Sequence, residues 1–148
     1  MMRRFDWARR LHELVDSSKA VTFAWGVHDC GQFAGRWILE ATGFDVAAAY
    51  RSTYSDEASA EALFLDGHPD LGSFAAAIAA ANGMAEVVPV TYAQRGDIVW
   101  VDNSTPLNPS KYGALGVVSL DGRYAVCMSE QGTKRVHMLR WKRAWKVG

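Results

Sequence analysis

The chain has 148 residues, 49% of them hydrophobic, and includes six tryptophans, six phenylalanines and five tyrosines. This length fits one domain with a sizeable core, which we predict to span residues 1–148, and the composition excludes a disordered segment. The formal net charge is zero, which argues against a dedicated nucleic-acid binder, and the sequence has no apolar run long enough to span a membrane.

Hydrophobic periodicity predicts that the first half of the chain is helical. In the first helix, Ala8, Leu11 and Val15 share one stripe, and charged residues lie outside it. The second helix ends at Thr42, because the following Gly43 suits a left-handed residue just past a helix. The predicted helices cover residues 5–17, 30–42, 46–50, 56–65 and 71–81.

The second half of the chain has the pattern of β-strands. An Arg-Gly-Asp turn at residues 95–97 leads into a buried strand, and Asp121-Gly122 predicts a two-residue hairpin turn. Helices followed by antiparallel strands predict an α+β domain. The predicted strands begin at 87–90 and continue at 98–101, 115–120, 123–128 and near 135–139, with a loop at 103–112 and a tail at 141–147.

The charges of the chain are unevenly distributed. Residues 52–94 hold six acids and no Lys or Arg, whereas residues 132–148 hold six bases and no acid. Such charged ends could dock onto other proteins, or they could be two solvated faces.

Two cysteines are too few for a disulfide framework, and the first residues lack the apolar segment of a signal peptide. We therefore expect synthesis in the cytosol with both thiols reduced.

The segment from Phe23 to Phe33 places a cysteine at the start of the second predicted helix. Asp29 is a suitable N-cap, and Gln32 three residues later completes a capping-box pattern. Cys30 would then be the first helical residue, where free backbone N–H groups and the helix dipole favour a thiolate. The alternative is a small buried hydrophobic residue, because Cys30 lies on the apolar stripe of its helix.

Four motifs in order resemble the NlpC-type branch of the papain-like cysteine peptidases, and most closely a small phage-borne branch encoded in tail gene clusters. The resemblance covers nearly the whole chain. It implies a papain-like fold, in which N-terminal helices pack on a C-terminal antiparallel sheet, with the nucleophile position at Cys30. The motifs are Phe-x-Trp-Gly-x-His-Asp-Cys (Phe23 to Cys30), Arg-Gly-Asp-Ile-Val (Arg95 to Val99), Ala-Leu-Gly-Val (Ala114 to Val117) and Ala-Trp-Lys-Val (Ala144 to Val147).

The chain departs from the peptidase pattern at the catalytic base. The resemblance puts the base histidine at position 114, where this chain has Ala114, and a third polar residue near Val126 or Cys127. A cysteine without a base keeps only the activation offered by its helix. The resemblance therefore implies a non-catalytic structural component of a tail tip or tail assembly. Such a protein would bind other phage tail proteins and reside in the virion after synthesis in the host cytoplasm.

Two further hypotheses remain open. An active cysteine hydrolase would cleave peptidoglycan with Cys30, using His28 or His137 as its base. The competing role of His28 is local, either a hydrogen bond from its ring or packing against Phe33. A zinc site from His28, Cys30, Cys127 and His137 is also conceivable, but the spacing follows no known pattern, and we expect no metal and no cofactor.

The C-terminal tail offers a possible partner patch. Trp141 and Trp145 lie four residues apart, with Arg140 and Arg143 beside them. This arrangement could present aromatic and basic side chains to a partner protein. An amphipathic tail, with the tryptophans packed inward and the bases outward, explains the pattern equally well.

Overall fold

The computed structural model describes residues 1–107 and 112–148, so residues 108–111 of the predicted loop lie outside the described residues. Within these ranges, four α-helices precede a five-stranded antiparallel sheet, which confirms the predicted α+β class. The helices are α1 (Trp7–Ser18), α2 (Cys30–Thr42), α3 (Glu57–Phe64) and α4 (Leu71–Ala81). The strands are β1 (Ile98–Val101), β2 (Ala114–Val118), β3 (Tyr124–Ser129), β4 (Gly132–His137) and β5 (Trp141–Trp145).

Local capping explains where α3 and α4 begin and where α2 ends. The carboxylates of Asp56 and Asp70 each accept a backbone N–H three residues later, at 2.7 Å, which fixes the starts of α3 and α4. Gly43 follows α2 with a φ of 84°, as predicted. None of the helices in residues 1–107 and 112–148 has the length and apolarity that a membrane crossing requires.

The predicted helix at residues 46–50 is wrong. This segment is a single turn, in which the backbone N–H groups of Tyr50 and Arg51 both donate to the Ala47 carbonyl at 3.0 Å. Ala47 is buried, and its Cβ faces Gly35 of α2 so closely that a side chain at Gly35 would lie 2.5 Å away. Packing against α2 therefore decides the path of this short segment.

The strand order is β4-β3-β2-β1-β5, and the helices cover one face of the sheet. Helix α2 packs on β2 and β3, α1 packs on α2, and α4 contacts β1, β2 and β5. Trp37 of α2 is fully buried, and its ring N–H donates to the Gly96 carbonyl at 2.7 Å. This bond ties the central helix to the turn that precedes β1.

The sheet curls so that its two edges approach each other. The edge strands β4 and β5 are joined only by the 3-10 turn Met138–Arg140, a link that reaches at most about 14 Å. In a flat sheet, strands four places apart would be separated by about 19 Å. The Trp141 ring N–H of β5 also donates to the Val136 carbonyl of β4 at 3.1 Å, so this hydrogen bond joins the two edge strands. The curled interior forms a second apolar cluster, which includes Val99, Val101 and Cys127.

The strand predictions need three corrections. Residues 87–90 do not form a strand: Val90–Tyr92 is a 3-10 turn, and Glu86 makes an isolated bridge to Trp145. The hairpin loop between β2 and β3 covers residues 119–123 rather than two residues, because the Asp121 carboxylate accepts the N–H groups of Arg123 and Tyr124. The tail at 141–147 is not an appendage, because Trp141–Trp145 forms β5 beside β1.

The Arg-Gly-Asp turn holds the two ends of the chain together. Asp97 is 2% exposed, and its Oδ1 accepts hydrogen bonds from an Arg3 guanidinium nitrogen at 2.9 Å and from Val147 N at 3.2 Å. Arg3 Nε donates in turn to the Val147 carbonyl at 2.6 Å. This motif therefore has a structural role that local pattern does not reveal.

Candidate functional site

The N-terminus of α2 is held by a buried carboxylate. Asp29 is 2% exposed; its Oδ1 accepts the Gln32 N–H and its Oδ2 accepts the Gly26 N–H, both at 2.8 Å. The prediction of Asp29 as N-cap is confirmed. The carboxylate thereby fixes both the helix start and the loop that leads into it.

Tyr54 completes this network, and the sequence offered no local signal for it. Its hydroxyl donates to Asp29 Oδ2 at 2.5 Å, although the two residues are 25 positions apart. The Gln32 side chain, predicted to bond back to Asp29, instead donates to the Tyr54 hydroxyl at 3.4 Å, so the capping box is wrong. Burial, together with the hydrogen bond to Asp29, raises the pKa of Tyr54, which keeps the hydroxyl protonated as the donor.

The loop before α2 requires a glycine. Gly26 has a φ of 81°, and a Cβ at this position would lie 2.2 Å from the Tyr54 carbonyl oxygen. Next to it, the rings of Phe23 and Trp25 meet edge to face with centroids 5.0 Å apart. His28 closes the loop through its backbone, donating its N–H to the Ala24 carbonyl at 2.7 Å. The loop geometry therefore depends on the same Asp29 and Tyr54 that fix the helix.

Cys30 is the first residue of α2 and lines an open cavity of about 580 Å³. Although the residue as a whole is only half-buried, burial of the thiol and the nearby Asp29 carboxylate raise the pKa of Cys30 to about 12. Hydrogen bonds from the backbone N–H groups of Leu115 and Gly31 act in the opposite direction but are outweighed. Of the two alternatives for Cys30, the raised pKa argues against the thiolate, because desolvation exceeds the effect of the helix start.

No imidazole is found in this cavity. Ala114, which begins β2, lines it beside Cys30, and all four histidines of the chain lie in the described ranges and outside the lining. His137 pairs with Tyr124, about 13 Å along β3 from Met128 at the cavity, and its Nδ1 accepts the Leu139 N–H. The structure therefore brings neither His28 nor His137 into the lining of the cavity beside Cys30.

The position expected for the third, polar residue is likewise not occupied by a group that could orient a base. Val126 faces the helices in the main core, whereas Cys127 lies on the other face of the sheet and is 3% exposed. Burial, and secondarily the neighbouring Cys30, raise the pKa of the Cys127 thiol. Within the part of the chain that the structure describes, no three His, Cys, Asp or Glu side chains cluster as a metal site would require.

Around Cys30, the cavity wall combines aromatic and charged residues. Helix α3 contributes Glu57 and Glu61, and the sheet side contributes Glu130 and Lys134. From the sequence, Glu57 and Glu61 were only two of the six acids in residues 52–94, because only the tertiary fold sets α3 opposite the end of β3. The other lining residues are Phe23, Trp25, Asp29, Ala60, Phe64, Leu65, Leu71, Asn103, Tyr112, Gly113, Ala114, Met128, Ser129 and Gln131.

The predicted partner patch at the C-terminus needs correction. Trp141 is 4% exposed and Trp145 is 2% exposed, so neither is available to a partner. A register shift in β5 between Arg143 and Trp141 places the two rings in different apolar clusters. Arg140 remains exposed, whereas Arg143 forms an ion pair with Glu86, with its Nε 3.1 Å from Glu86 Oε2.

Comparison with known proteins assigns the chain to a family but indicates no activity for it. No curated protein and no solved structure matches this chain. The model of one family, described as a domain of unknown function (DUF6950), matches residues 2–147, which is nearly the entire chain. The match includes the α2 start, the cavity around Cys30 and all five strands. The chain therefore belongs to the DUF6950 family.

Proposed function

We propose that this chain is a non-catalytic relative of the NlpC-type peptidases that serves as a structural component of a phage tail tip or tail assembly. The observation that carries the proposal is Ala114 beside Cys30, in a cavity that none of the four histidines lines. A nucleophilic cysteine needs a base within hydrogen-bond reach or a lowered pKa. Cys30 has a raised pKa instead.

The positions of the four motifs support the relationship to the peptidases. The first motif forms the loop and helix start at Cys30, the second leads into β1, the third forms most of β2, and the fourth ends β5. They thus belong to the elements that would frame a papain-like site. The papain-like fold itself is part of this proposal, as are the tail location and the tail-protein partners.

A substitution at Ala114 tests the relationship to the peptidases. We expect Ala114→His to place an imidazole next to Cys30 and to raise its alkylation rate at neutral pH, because a neighbouring imidazolium stabilises a thiolate. Ala114→Gln is the matched control, since it adds bulk at the same place without an imidazole. Equal Cys30 rates in the two folded variants would contradict the proposed arrangement.

Deletion and complementation in the phage or prophage that encodes the chain test the tail role. We expect deletion to give particles with defective tails, and both the wild-type gene and Cys30→Ser to restore them. Mass spectrometry of purified virions should detect the chain. Normal tails after deletion, together with virions that lack the chain, would refute the proposal.

An active peptidoglycan hydrolase is the second candidate, and the open cavity of about 580 Å³ leading to Cys30 favours it. Its test is the release of soluble fragments from purified peptidoglycan by the wild type, Cys30→Ser and the surface control Lys146→Gln. Turnover that is lost only in Cys30→Ser would establish this activity. The non-catalytic proposal instead predicts no turnover by any of the three.

A further inference from the structure

We propose that the cavity beside Cys30 is a binding site for the basic side chain of a partner polypeptide. Its volume of about 580 Å³ is in the range of ligand-binding cavities and can hold a long side chain with its flanking backbone. This inference rests on the proposed non-catalytic function, because it assigns binding to the place where a peptidase would perform chemistry. The walls of the cavity define the chemistry of the occupant.

Three glutamates that line the cavity have no ion-pair partner in the part of the chain that the structure describes. Glu57, Glu61 and Glu130 form no ion pair with any residue that the structure describes, whereas Asp6, Asp45, Asp121 and Glu86 are all paired with arginines. Glu57 and Glu61 lie one turn apart on α3, where like charges repel each other. A cation bound between them would remove this repulsion.

Aromatic rings supply the second part of the site. Trp25, Phe64 and Tyr112 line the same cavity as the carboxylates. A lysine or arginine side chain has an apolar stem and a charged end, so it can pack its stem on rings and direct its end to carboxylates. An anionic or purely apolar ligand would use only part of these walls.

The remaining polar groups leave the α3 side of the cavity negative. Lys134 belongs to β4 and shares the sheet side with Glu130, whereas the charged residues that α3 brings to the lining are Glu57 and Glu61, both acidic. The Cys30 thiol is neutral at physiological pH and adds no charge. Cation binding should therefore centre on the α3 wall.

Titration of the ¹⁵N-labelled protein with two small probes tests the inference. N-acetyl-lysine N-methylamide carries the cation, and the norleucine analogue has nearly the same stem without it. We expect the lysine probe to shift the amides of Gly31, Glu61 and Gly113, and to bind about fivefold more tightly than the norleucine probe at low salt. Equal affinities, or shifts confined to other surfaces, would overturn the inference.

A double variant provides the matched comparison. Glu57→Gln with Glu61→Gln should reduce the affinity for lysine to that of norleucine, with the thermal unfolding midpoint used to verify folding. Asp66→Asn, which neutralises an exposed acid of the same segment outside the lining, should leave the affinity unchanged. Lysine binding that persists in the double variant would refute the site.

Soluble peptidoglycan fragments form the last arm of the test. Fragment binding that is stronger than lysine binding, and independent of Glu57 and Glu61, would overturn the choice of a polypeptide as occupant. A failure of all lysine binding would leave the tail role untouched, since that role is measured by virion composition and complementation.

Discussion

The hydroxyl of Tyr54 donates a 2.5 Å hydrogen bond to the buried Oδ2 of Asp29, and this bond joins the start of α2 to the segment that precedes α3. Asp29 accepts two backbone N–H groups as well, so its charge is satisfied by three donors in a site from which water is largely excluded. A buried carboxylate is stable only when it is satisfied in this way. The position of Cys30 therefore depends on a tyrosine far away in sequence.

Removing that hydroxyl should destabilise the protein. Tyr54→Phe leaves Asp29 with one donor fewer, and we expect the free energy of unfolding to fall by about 2 kcal/mol. Urea denaturation followed by circular dichroism measures the change. Tyr92→Phe, at a residue that is 71% exposed, is the control and should have no measurable effect. Equal stability of the two variants would show that the Tyr54–Asp29 bond contributes nothing.

Two glycines of α2 should respond oppositely to alanine. At Gly31 the nearest atom to a new Cβ is Asp29 Oδ1 at 3.5 Å, an ordinary contact, so the better helix propensity of alanine should add about 0.5 kcal/mol of stability. At Gly35 a Cβ would lie 2.5 Å from the Ala47 Cβ, and we expect a loss of about 2 kcal/mol. Thermal unfolding of both variants checks the signs, and destabilisation by Gly31→Ala would contradict the geometry at the helix start.

The buried ion pair between Arg3 and Asp97 should matter far more than an exposed one. Asp97→Ala removes the acceptor of Arg3 and of the Val147 N–H, and we expect a loss of about 3 kcal/mol. Asp45→Ala breaks a pair with Arg51 that lies near the surface, which should cost about 0.5 kcal/mol. Similar losses in the two variants, measured by urea denaturation, would disprove the role of Asp97 in joining the chain ends.

The raised pKa of Cys30 predicts slow alkylation at neutral pH. A shift of the pKa from 9.0 to about 12 lowers the thiolate fraction more than it raises nucleophilicity, so iodoacetamide should react roughly 50-fold more slowly than with the unfolded chain. The rate should rise about tenfold per pH unit between pH 7 and 10, because the thiol titrates only above that window.

The measurement uses a Cys127→Ser background, so that Cys30 is the only thiol in the chain. The same protein in concentrated urea gives the reference rate, which should level off above pH 9 as the unfolded thiol becomes fully ionised. A folded-state rate that levels off below pH 9 would show that the helix start, rather than burial, controls Cys30.

Elements with local signals were predicted well. The apolar stripe and the Asp29 cap predicted α2, because a cap acts on backbone groups only three residues away. Periodicity predicted the helices at 56–65 and 71–81 close to their observed bounds, Glu57–Phe64 and Leu71–Ala81. The strand at Ile98–Val101 was likewise predicted from its run of apolar residues. In each of these elements the stabilising interactions are close in sequence.

Elements without local signals were predicted wrongly or missed. The strand β5 was missed within the predicted tail at 141–147, because its partner β1 lies about forty residues earlier in the chain. The two tryptophans of that strand are buried on different faces because of a register shift, which no residue spacing indicates. Tyr54 gained its importance only through the long-range hydrogen bond to Asp29, and Glu57 and Glu61 gained theirs only when α3 was placed opposite Cys30.

The sequence by itself determined the α+β class, the cysteine at the start of a helix and the alanine at position 114. These follow from periodicity, capping and residue identity, which are local properties of the chain. Only the tertiary structure decided the protonation state of Cys30 and the composition of its cavity. Both depend on groups that the fold brings together from the start of α2, from α3, from β2 and from the β3–β4 hairpin, and desolvation is a property of the folded environment rather than of any one segment.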